Sequence, residues 1–430
     1  MKNSLLPMIW RHQSGKVPPD SAVRAASMRA HSLETWLHAF YYLPEAWDIR
    51  QSGPLAGIPV GVKDTIATAG MPTTNGSAIY ARHVPTKDAW IVAETKRLGG
   101  TVFGKTVTTE FAWRHPGPTV NPWNPVYTPG GSSSGSAAAV AAGIVPLSFG
   151  SQTLGSIIRP AAYCGVVGYM PSFGAIPCEG VHPLAASLDH VGFFTRSAAD
   201  AAAAHCLYIE RAAAPVLDSS AWAQYFPEIR PPRLAIIRTG YWMRAEVGQR
   251  ENFDAALALF AANGAELEEL KLPDDMDLIV NSTSLMLAYE AARIFAPLVA
   301  QHPEKTSARL KQLVATGMAV SETRYQEALK LRTKLHEQLA GWIASFDAIL
   351  TLSATGQAPS GLDETGDASF CAPWTMAGGP AVSIPSGWTS AGLPLGLQIT
   401  GPPGSDQRIL AVAAWAEAIL ACPDKTVGER

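Results

Sequence analysis

The stretch from Gly130 to Arg159, GGSSSGSAAAVAAGIVPLSFGSQTLGSIIR, constrains this chain more than any other part of it. Gly130, Gly131 and Gly135 free the first turn from Cβ clashes, so its backbone can come close to a partner or take conformations that other residues avoid. From Ser136 to Ala142 the residues are nearly all alanine, the best helix former, and Gly143 supplies the usual left-handed stop. Ile144 to Phe149 is a short apolar run ending at Gly150, which reads as a buried strand, and the second turn, GSQTLGS, follows its carboxyl end. In a parallel α/β sheet, helix N-termini and strand C-termini share the side on which ligands bind. Both serine-bearing turns are therefore expected to face one pocket.

The rest of the chain supplies a sheet around that stretch. In GIPVGVKD, Ile58, Val60 and Val62 alternate as one face of a strand and place Lys63 on the other face, at the strand's carboxyl end. Thr86 to Leu98 reads as a helix with Thr86 as N-cap and Gly99 as stop, and Thr101 to Phe103 completes a right-handed, parallel β-α-β unit. Ahead of these, Ser21 to Phe40 is helix-compatible, making residues 1–50 a helical arm. Residues 51–210 form the core with the chemistry. The segment 113–129, rich in proline and aromatics, is too irregular for an element and reads as a pocket wall. Residues 211–345 carry a strand at Arg233 to Ile237, a helix at Glu251 to Ala262 and further helical segments, without a chemical motif. Over 346–430 the chain returns to the sheet: Ala348 to Leu352 and Ala381 to Pro385 read as strands, Leu395 to Thr400 pairs antiparallel with the second, and Arg408 to Leu420 is a closing helix. The expected fold class is α/β, a single domain over 1–430 whose mixed, largely parallel central β-sheet is surrounded by helices.

Composition narrows the function classes. With 47% hydrophobic and 16% charged residues, 430 residues can bury a large core. A net charge of −3 leaves no electrostatic footprint for nucleic acid or an anionic membrane, and neither partner is expected. The N-terminal MKNSLLPMIWRHQSG has too few apolar residues before Arg11 for an export signal, and no run long enough to span a bilayer occurs, so the cytoplasm is the expected compartment. Cys164, Cys178, Cys206, Cys371 and Cys422 are scattered without a CxxC pair, and the histidines show no HExxH spacing. Free thiols are expected, and no metal.

Three chemistries compete for GGSSSGS. Gly130 to Gly135 gives the frame of a phosphate loop, but Ser136 stands where the phosphate-binding lysine belongs. Gly131, Ser133 and Gly135 fit G-x-S-x-G, yet that nucleophile elbow needs a strand just before it, and Pro125 to Pro129 cannot be one. The third joins Lys63, Ser132 and Ser156. A flexible Gly/Ser linker is the bland alternative, and linkers are not followed at once by a strong helix and a buried strand.

At these residues the sequence resembles the amidase signature family. The resemblance lies in GVKD at 61–64, GGSSSGSAAAVAAG at 130–143, SQTLGSIIRPAAYCG at 151–165, and PAVSIPSG with GLPLGLQ near the C-terminus. It implies a Ser-cisSer-Lys triad: Ser156 as nucleophile, Ser132 as bridging serine after a cis peptide, and Lys63 as base. The resemblance also implies that the backbone N–H groups of Thr153, Leu154, Gly155 and Ser156 form the oxyanion hole. Leu154 departs from the glycine most members carry there, and Gln152 from a frequent aspartate.

The roles make physical sense. A serine hydroxyl needs a base to become a nucleophile, and no histidine stands in any of these motifs. Lysine serves as base only when neutral, which requires its pKa to fall by about 3 pH units, or about 4 kcal/mol. Burial produces shifts of that size. Arg159, three residues past Ser156 in an almost uncharged stretch, needs a polar or anionic partner. One expectation is a structural ion pair with a carboxylate such as Asp189; the other, drawn from the resemblance, is that Arg159 binds a substrate carboxylate.

The implied activity is hydrolysis of the C–N bond of a linear amide through a serine acyl-enzyme, with no cofactor and a small-molecule amide as partner. A homodimer is compatible with the sequence. Two alternatives stand beside it: an amidase-like subunit of a tRNA-dependent amidotransferase complex, and a noncatalytic amide-binding homologue.

Overall fold

In chain order, the N-terminal helices are α1 (Leu5–Gln13) and α2 (Ser21–Leu37), followed by the short strand β1 (Phe40–Tyr42). The architecture comes from a computed structural model, which describes residues 4–211, 230–270, 276–342, 344–423, 425 and 427–428. The parts of the expected 211–345 segment at 212–229, 271–275 and 343 lie outside the described residues.

Helix α2 stops at Leu37 rather than Phe40. His38 takes a left-handed φ of 51°, and the Glu34 carboxylate accepts the N–H groups of Ala39 and Phe40 at 3.0 Å each, drawing the chain out of the helix. Phe40 and Tyr42 then pair with the sheet.

The sheet's middle is built from β2 (Pro59–Lys63), α3 (Trp90–Arg97) and β3 (Thr101–Thr106), with β2 and β3 parallel as the sequence implies. Helix α3 starts later than Thr86 and has Ala89 at its N-cap. Asp88 explains the delay: it accepts the Ala69 N–H at 2.7 Å and pairs with Lys96 at 2.7 Å, which fixes the preceding turn outside the helix. Then come α4 (Ser134–Ala141), β4 (Leu147–Gln152) and α5 (Ile158–Cys164). Strand β4 begins after Pro146, which has no N–H for a ladder, and runs on to Gln152 because Gly150, Ser151 and Gln152 pair with 190–192. The apolar run alone places this strand three residues too early.

Beyond α5 lie β5 (Val167–Met170), β6 (His190–Thr195), α6 (Ala198–Tyr208), β7 (Arg233–Ile236), α7 (Val247–Ala262) and β8 (Glu266–Glu269). Three helices follow, α8 (Met276–Gln301), α9 (Ala308–Met318) and α10 (Glu322–Trp342). The chain closes with β9 (Ala348–Leu352), α11 (Ala372–Ala377), β10 (Ala381–Trp388), β11 (Pro394–Thr400) and α12 (Asp406–Leu420).

All eleven strands of the described residues belong to one mixed sheet in the order β1-β3-β2-β4-β6-β5-β10-β11-β9-β7-β8. Parallel ladders join β2 to β3 and β4, and β7 to β8 and β9. The pairs β1–β3, β4–β6, β5–β6, β5–β10, β10–β11 and β9–β11 are antiparallel. Val60, Val62, Leu147 and Phe149 bury one face of this sheet in the larger core, while Phe103, Phe194 and the alanines of α4 pack on the other face against α2. Glycine is what lets the first turn of α4 lie so close: a Cβ on Gly135 would stand 2.1 Å from the Ala39 carbonyl oxygen. Among the described residues no helix is long and apolar enough to cross a membrane.

Candidate active site

Strand alternation puts Lys63, next to Val62, on the α4 face at the carboxyl end of β2. Its side chain is fully enclosed. Nζ lies 2.6 Å from Ser132 Oγ, 2.9 Å from Ser151 Oγ and 3.4 Å from the Ser151 carbonyl oxygen. Loss of hydration lowers the amine from its ordinary 10.5 to about 7, against a smaller opposing pull from the Asp189 carboxylate. Near neutral pH a substantial share of this lysine is therefore unprotonated, with a lone pair available for the Ser132 proton.

Ser132 follows a cis peptide bond between Gly131 and Ser132. Its carbonyl oxygen accepts the Thr109 N–H at 3.2 Å, and the next residue's N–H reaches the Ser156 carbonyl oxygen at 3.4 Å. The two serine turns thus meet, as their positions on one side of the sheet imply. Relative exposure grades outward from Lys63 at 0% through Ser132 at 3% to Ser156 at 9%, so Ser156 is the most exposed residue of the three. The other hydroxyls of the loop are engaged elsewhere: Ser133 Oγ donates to the Ser151 carbonyl at 3.2 Å, and Ser136 Oγ to the Phe149 carbonyl at 2.8 Å.

Between β4 and α5 the backbone is asymmetric in its bonding. The carbonyls of Leu154, Gly155 and Ser156 accept from Thr375 Oγ1 at 2.8 Å, Arg159 N at 2.9 Å and Ser133 N at 3.4 Å. The N–H groups of Thr153, Leu154, Gly155 and Ser156 donate to no group among the described residues. Free N–H groups beside a serine hydroxyl are what an oxyanion requires. Gln152 closes this turn: its Oε1 accepts the N–H groups of Ile157 and Ile158 at 2.8 and 3.0 Å, while its Nε2 reaches Thr375 Oγ1 at 3.0 Å. The half-buried Leu154 side chain packs against the larger core.

Arg159 is buried, yet the ion pair with Asp189 does not occur. Its guanidinium donates to the Gly131 carbonyl at 2.6 Å and to Thr365 Oγ1 at 3.3 Å, while Nε finds no partner. Asp189 lies immediately before β6 and is occupied there by Thr153 Oγ1 at 2.6 Å and the N–H groups of Leu184 and Ala185 at 2.9 and 3.1 Å. Burial lowers the guanidinium's pKa from its ordinary value. Arg159 is thus a buried cation without a paired carboxylate among the described residues, and it bonds the peptide that leads into Ser132.

The family profile described as Amidase matches residues 30–410. This chain belongs to the amidase signature family. Among curated relatives, the chain is similar to the glutamyl-tRNA(Gln) amidotransferase A-subunit of Thermotoga maritima, with 30% identity over 90% of this chain and 89% of that one. Its counterpart in a Synechococcus strain is 32% identical over 94% of each chain. Among solved structures, one described as an amidase superposes with a TM-score of 0.86 at 29% identity, covering 96% of this chain and 99% of the other. A peptide amidase in complex with chymostatin gives a TM-score of 0.81 at 26% identity, covering 96% of each chain.

Of the residues that the sequence points to, the fold brings Lys63 against Ser132 and joins the two serine turns through the Ser133 N–H and the Ser156 carbonyl, while the Ser156 hydroxyl makes no hydrogen bond among the described residues. Sequence reasoning misses Ser151, whose hydroxyl lies nearest Lys63 after that of Ser132, Thr109 and Thr375, which fix the surrounding backbone, and Thr365, whose hydroxyl accepts from Arg159. Ser151 sits in the second turn's own motif; only the extension of β4 reveals that it stands beside the end of β2. The threonines come from distant segments and carry no local signal.

Proposed function

We propose that this chain hydrolyses the C–N bond of linear amides, and that Ser156 forms the acyl-enzyme. Neutral Lys63 takes the proton of Ser132 as Ser132 takes that of Ser156. The Ser156 oxygen then bonds to the substrate carbonyl carbon, and the N–H groups of 153–156 hold the negative oxygen. Collapse breaks the C–N bond, the relayed proton leaves on nitrogen as ammonia or an amine, and water cleaves the ester by the same relay. The reading is carried by one observation: a fully buried lysine lowered to about 7 and in contact with Ser132 at 2.6 Å.

Arg159 is proposed to hold a carboxylate on the substrate, because it is buried without a paired carboxylate among the described residues. The proposed compartment is the cytoplasm, where free thiols such as Cys164 and Cys371 stay reduced.

A panel of amides, ureas and carbamates assayed for ammonia release, with intact mass following the acyl adduct, tests the reading. Ser156→Ala, Ser132→Ala and Lys63→Ala are each expected to lower turnover by about a thousandfold or more, with double variants little worse than the worst single one. Near-wild-type hydrolysis by Ser156→Ala, or loss confined to Ser133→Ala, overturns it.

A second reading is favoured by the relatives named as amidotransferase A-subunits, which are 30% and 32% identical. Under it the chain supplies ammonia within a complex and depends on partner proteins. Ammonia release from simple amides by the chain alone decides for the first reading, and absence of any acyl adduct decides for a noncatalytic homologue.

A further inference from the structure

Asp189 occupies an unusual position between the two halves of this site. It is half-buried immediately before β6, and its two oxygens divide the work. Oδ2 accepts the N–H groups of Leu184 and Ala185 at 2.9 and 3.1 Å, which fixes the carboxylate to the backbone. Oδ1 accepts the Thr153 hydroxyl at 2.6 Å. Thr153 is the first residue of the loop whose four N–H groups have no partner among the described residues. Such a loop cannot take its direction from its own N–H bonds; backbone N–H groups hold the carbonyls of Gly155 and Ser156, and side-chain anchors hold its first half, Thr153 and Leu154. On its far side that anchor is Thr375, bonded to the Leu154 carbonyl and to Gln152. On its near side it is Asp189.

We propose that Asp189 is a positioning residue for amide hydrolysis, holding Thr153 by its hydroxyl so that the free N–H groups of 153–156 are aimed at the oxyanion. The inference rests on the acyl-enzyme reading above. Asp189 also acts on the base, because its negative charge opposes the burial that drives the Lys63 amine down to about 7. The groups facing Asp189 are the Thr153 hydroxyl, the N–H groups of Leu184 and Ala185, and the charges or thiol of Lys63, Glu290 and Cys178; burial brings its own carboxyl up to about 6, still ionised at neutral pH. The two effects separate experimentally: Thr153→Val removes the anchor alone, whereas Asp189→Asn removes the anchor and the charge.

The probe is an alkyl fluorophosphonate, which needs no knowledge of the natural amide. Ser156 Oγ forms a bond to phosphorus, fluoride leaves, the proton passes through Ser132 to Lys63, and the phosphoryl oxygen uses the same N–H donors. The rate of the mass increase is followed from about pH 5 to 9, the range over which Lys63 titrates in this environment. Thr153→Val and Asp189→Asn are each expected to slow labelling about tenfold to hundredfold at the high-pH plateau, less than loss of an oxyanion donor itself. The double variant should be no slower than the slower single one. Thr153→Ser should recover most of the rate lost in Thr153→Val. Only Asp189→Asn should move the rising limb to lower pH. Wild-type Ser156 that is labelled at a rate unaffected by either substitution overturns this proposal alone, and so does a limb that stays in place in Asp189→Asn. Failure of wild-type Ser156 to be labelled overturns the acyl-enzyme reading and this proposal with it. If Asp189→Asn does not fold, Thr153→Val and its serine counterpart decide the anchor.

Discussion

Ser151 Oγ stands 2.9 Å from Lys63 Nζ, and the same residue's carbonyl oxygen stands 3.4 Å from it. A neutral amine has two N–H donors and one lone pair. With both donors directed at Ser151, the lone pair is left for the Ser132 hydroxyl at 2.6 Å. Ser151 thus orients the Lys63 amine toward Ser132.

Ser151→Ala is expected to lower kcat/KM about tenfold, the scale of one lost hydrogen bond, with Ser132→Ala far more damaging. The check is steady-state ammonia release by the two variants side by side. Equal losses would make Ser151 part of the proton relay, and no loss would remove its orienting role.

Lys63 sets the next expectation, because its folded pKa of about 7 lies below its ordinary 10.5. Activity should rise with pH through about 7 as the amine loses its proton, and Lys63→Arg, always charged, should be inactive at every pH. Stability follows the same titration. Between the folded and unfolded pKa values the unfolded chain binds more protons, so this group's destabilisation is largest below pH 7 and fades as pH rises toward 10.5. Lys63→Met should therefore raise the melting temperature at pH 6 while abolishing turnover. A fall in melting temperature at that pH would show that the contacts of the amine outweigh its desolvation.

How much of this is legible in the sequence depends on the range of the interactions. The β2–β3 unit, the β10–β11 pair and the glycine loop with its alanine helix are written in local periodicity, and each appears in the fold close to where the residues place it. The antiparallel run through β6, β5 and β10 is not legible, because pairing between distant segments leaves no local trace. The site divides in the same way. Motif residues Lys63, Ser132 and Ser156 can be read directly, whereas Thr109, Thr365 and Thr375 act through single hydroxyls or N–H groups from remote loops. Asp189 reads from the sequence as a partner for Arg159; charge alone suggests that pairing, and the backbone geometry at 184–189 assigns it to Thr153 instead.

Arg159 follows from that reassignment. A bidentate charge-assisted contact to a substrate carboxylate contributes about 1.5–3 kcal/mol. Arg159→Ala should lower kcat/KM for half-amides of short dicarboxylic acids about tenfold to hundredfold, at about 1.4 kcal/mol per decade, and affect neutral amides of similar size much less. The measurement is the ratio of the two losses. Equal losses for both substrate types would confine Arg159 to its contacts with the Gly131 carbonyl and Thr365.

Lys105 provides the last expectation, since it is a second buried lysine whose amine burial also brings down to about 7. A register shift between Val60 and Gly61 in the β2–β3 ladder puts Lys105 opposite Val62, on the sheet face away from Lys63. There its Nζ donates to the Ile66 carbonyl and to the hydroxyls of Thr68 and Thr73 at 3.1 and 3.0 Å, with Asp64 as the strongest opposing charge. The amine thus pins the loop that follows Lys63, and it touches neither serine turn. Lys105→Met should remove the amine's bonds to the Ile66 carbonyl and the two threonine hydroxyls together with the charge beside Asp64, destabilising the fold by about 2–4 kcal/mol. The midpoint of the activity limb should stay where it is, because the proposed relay assigns the titration that controls turnover to Lys63. Thermal unfolding and a pH–rate profile on the same preparation separate the two lysines: a lower melting temperature with an unmoved limb is the expected pair of results. A limb displaced by about a full pH unit in Lys105→Met would show that the catalytic titration belongs to Lys105 rather than to Lys63.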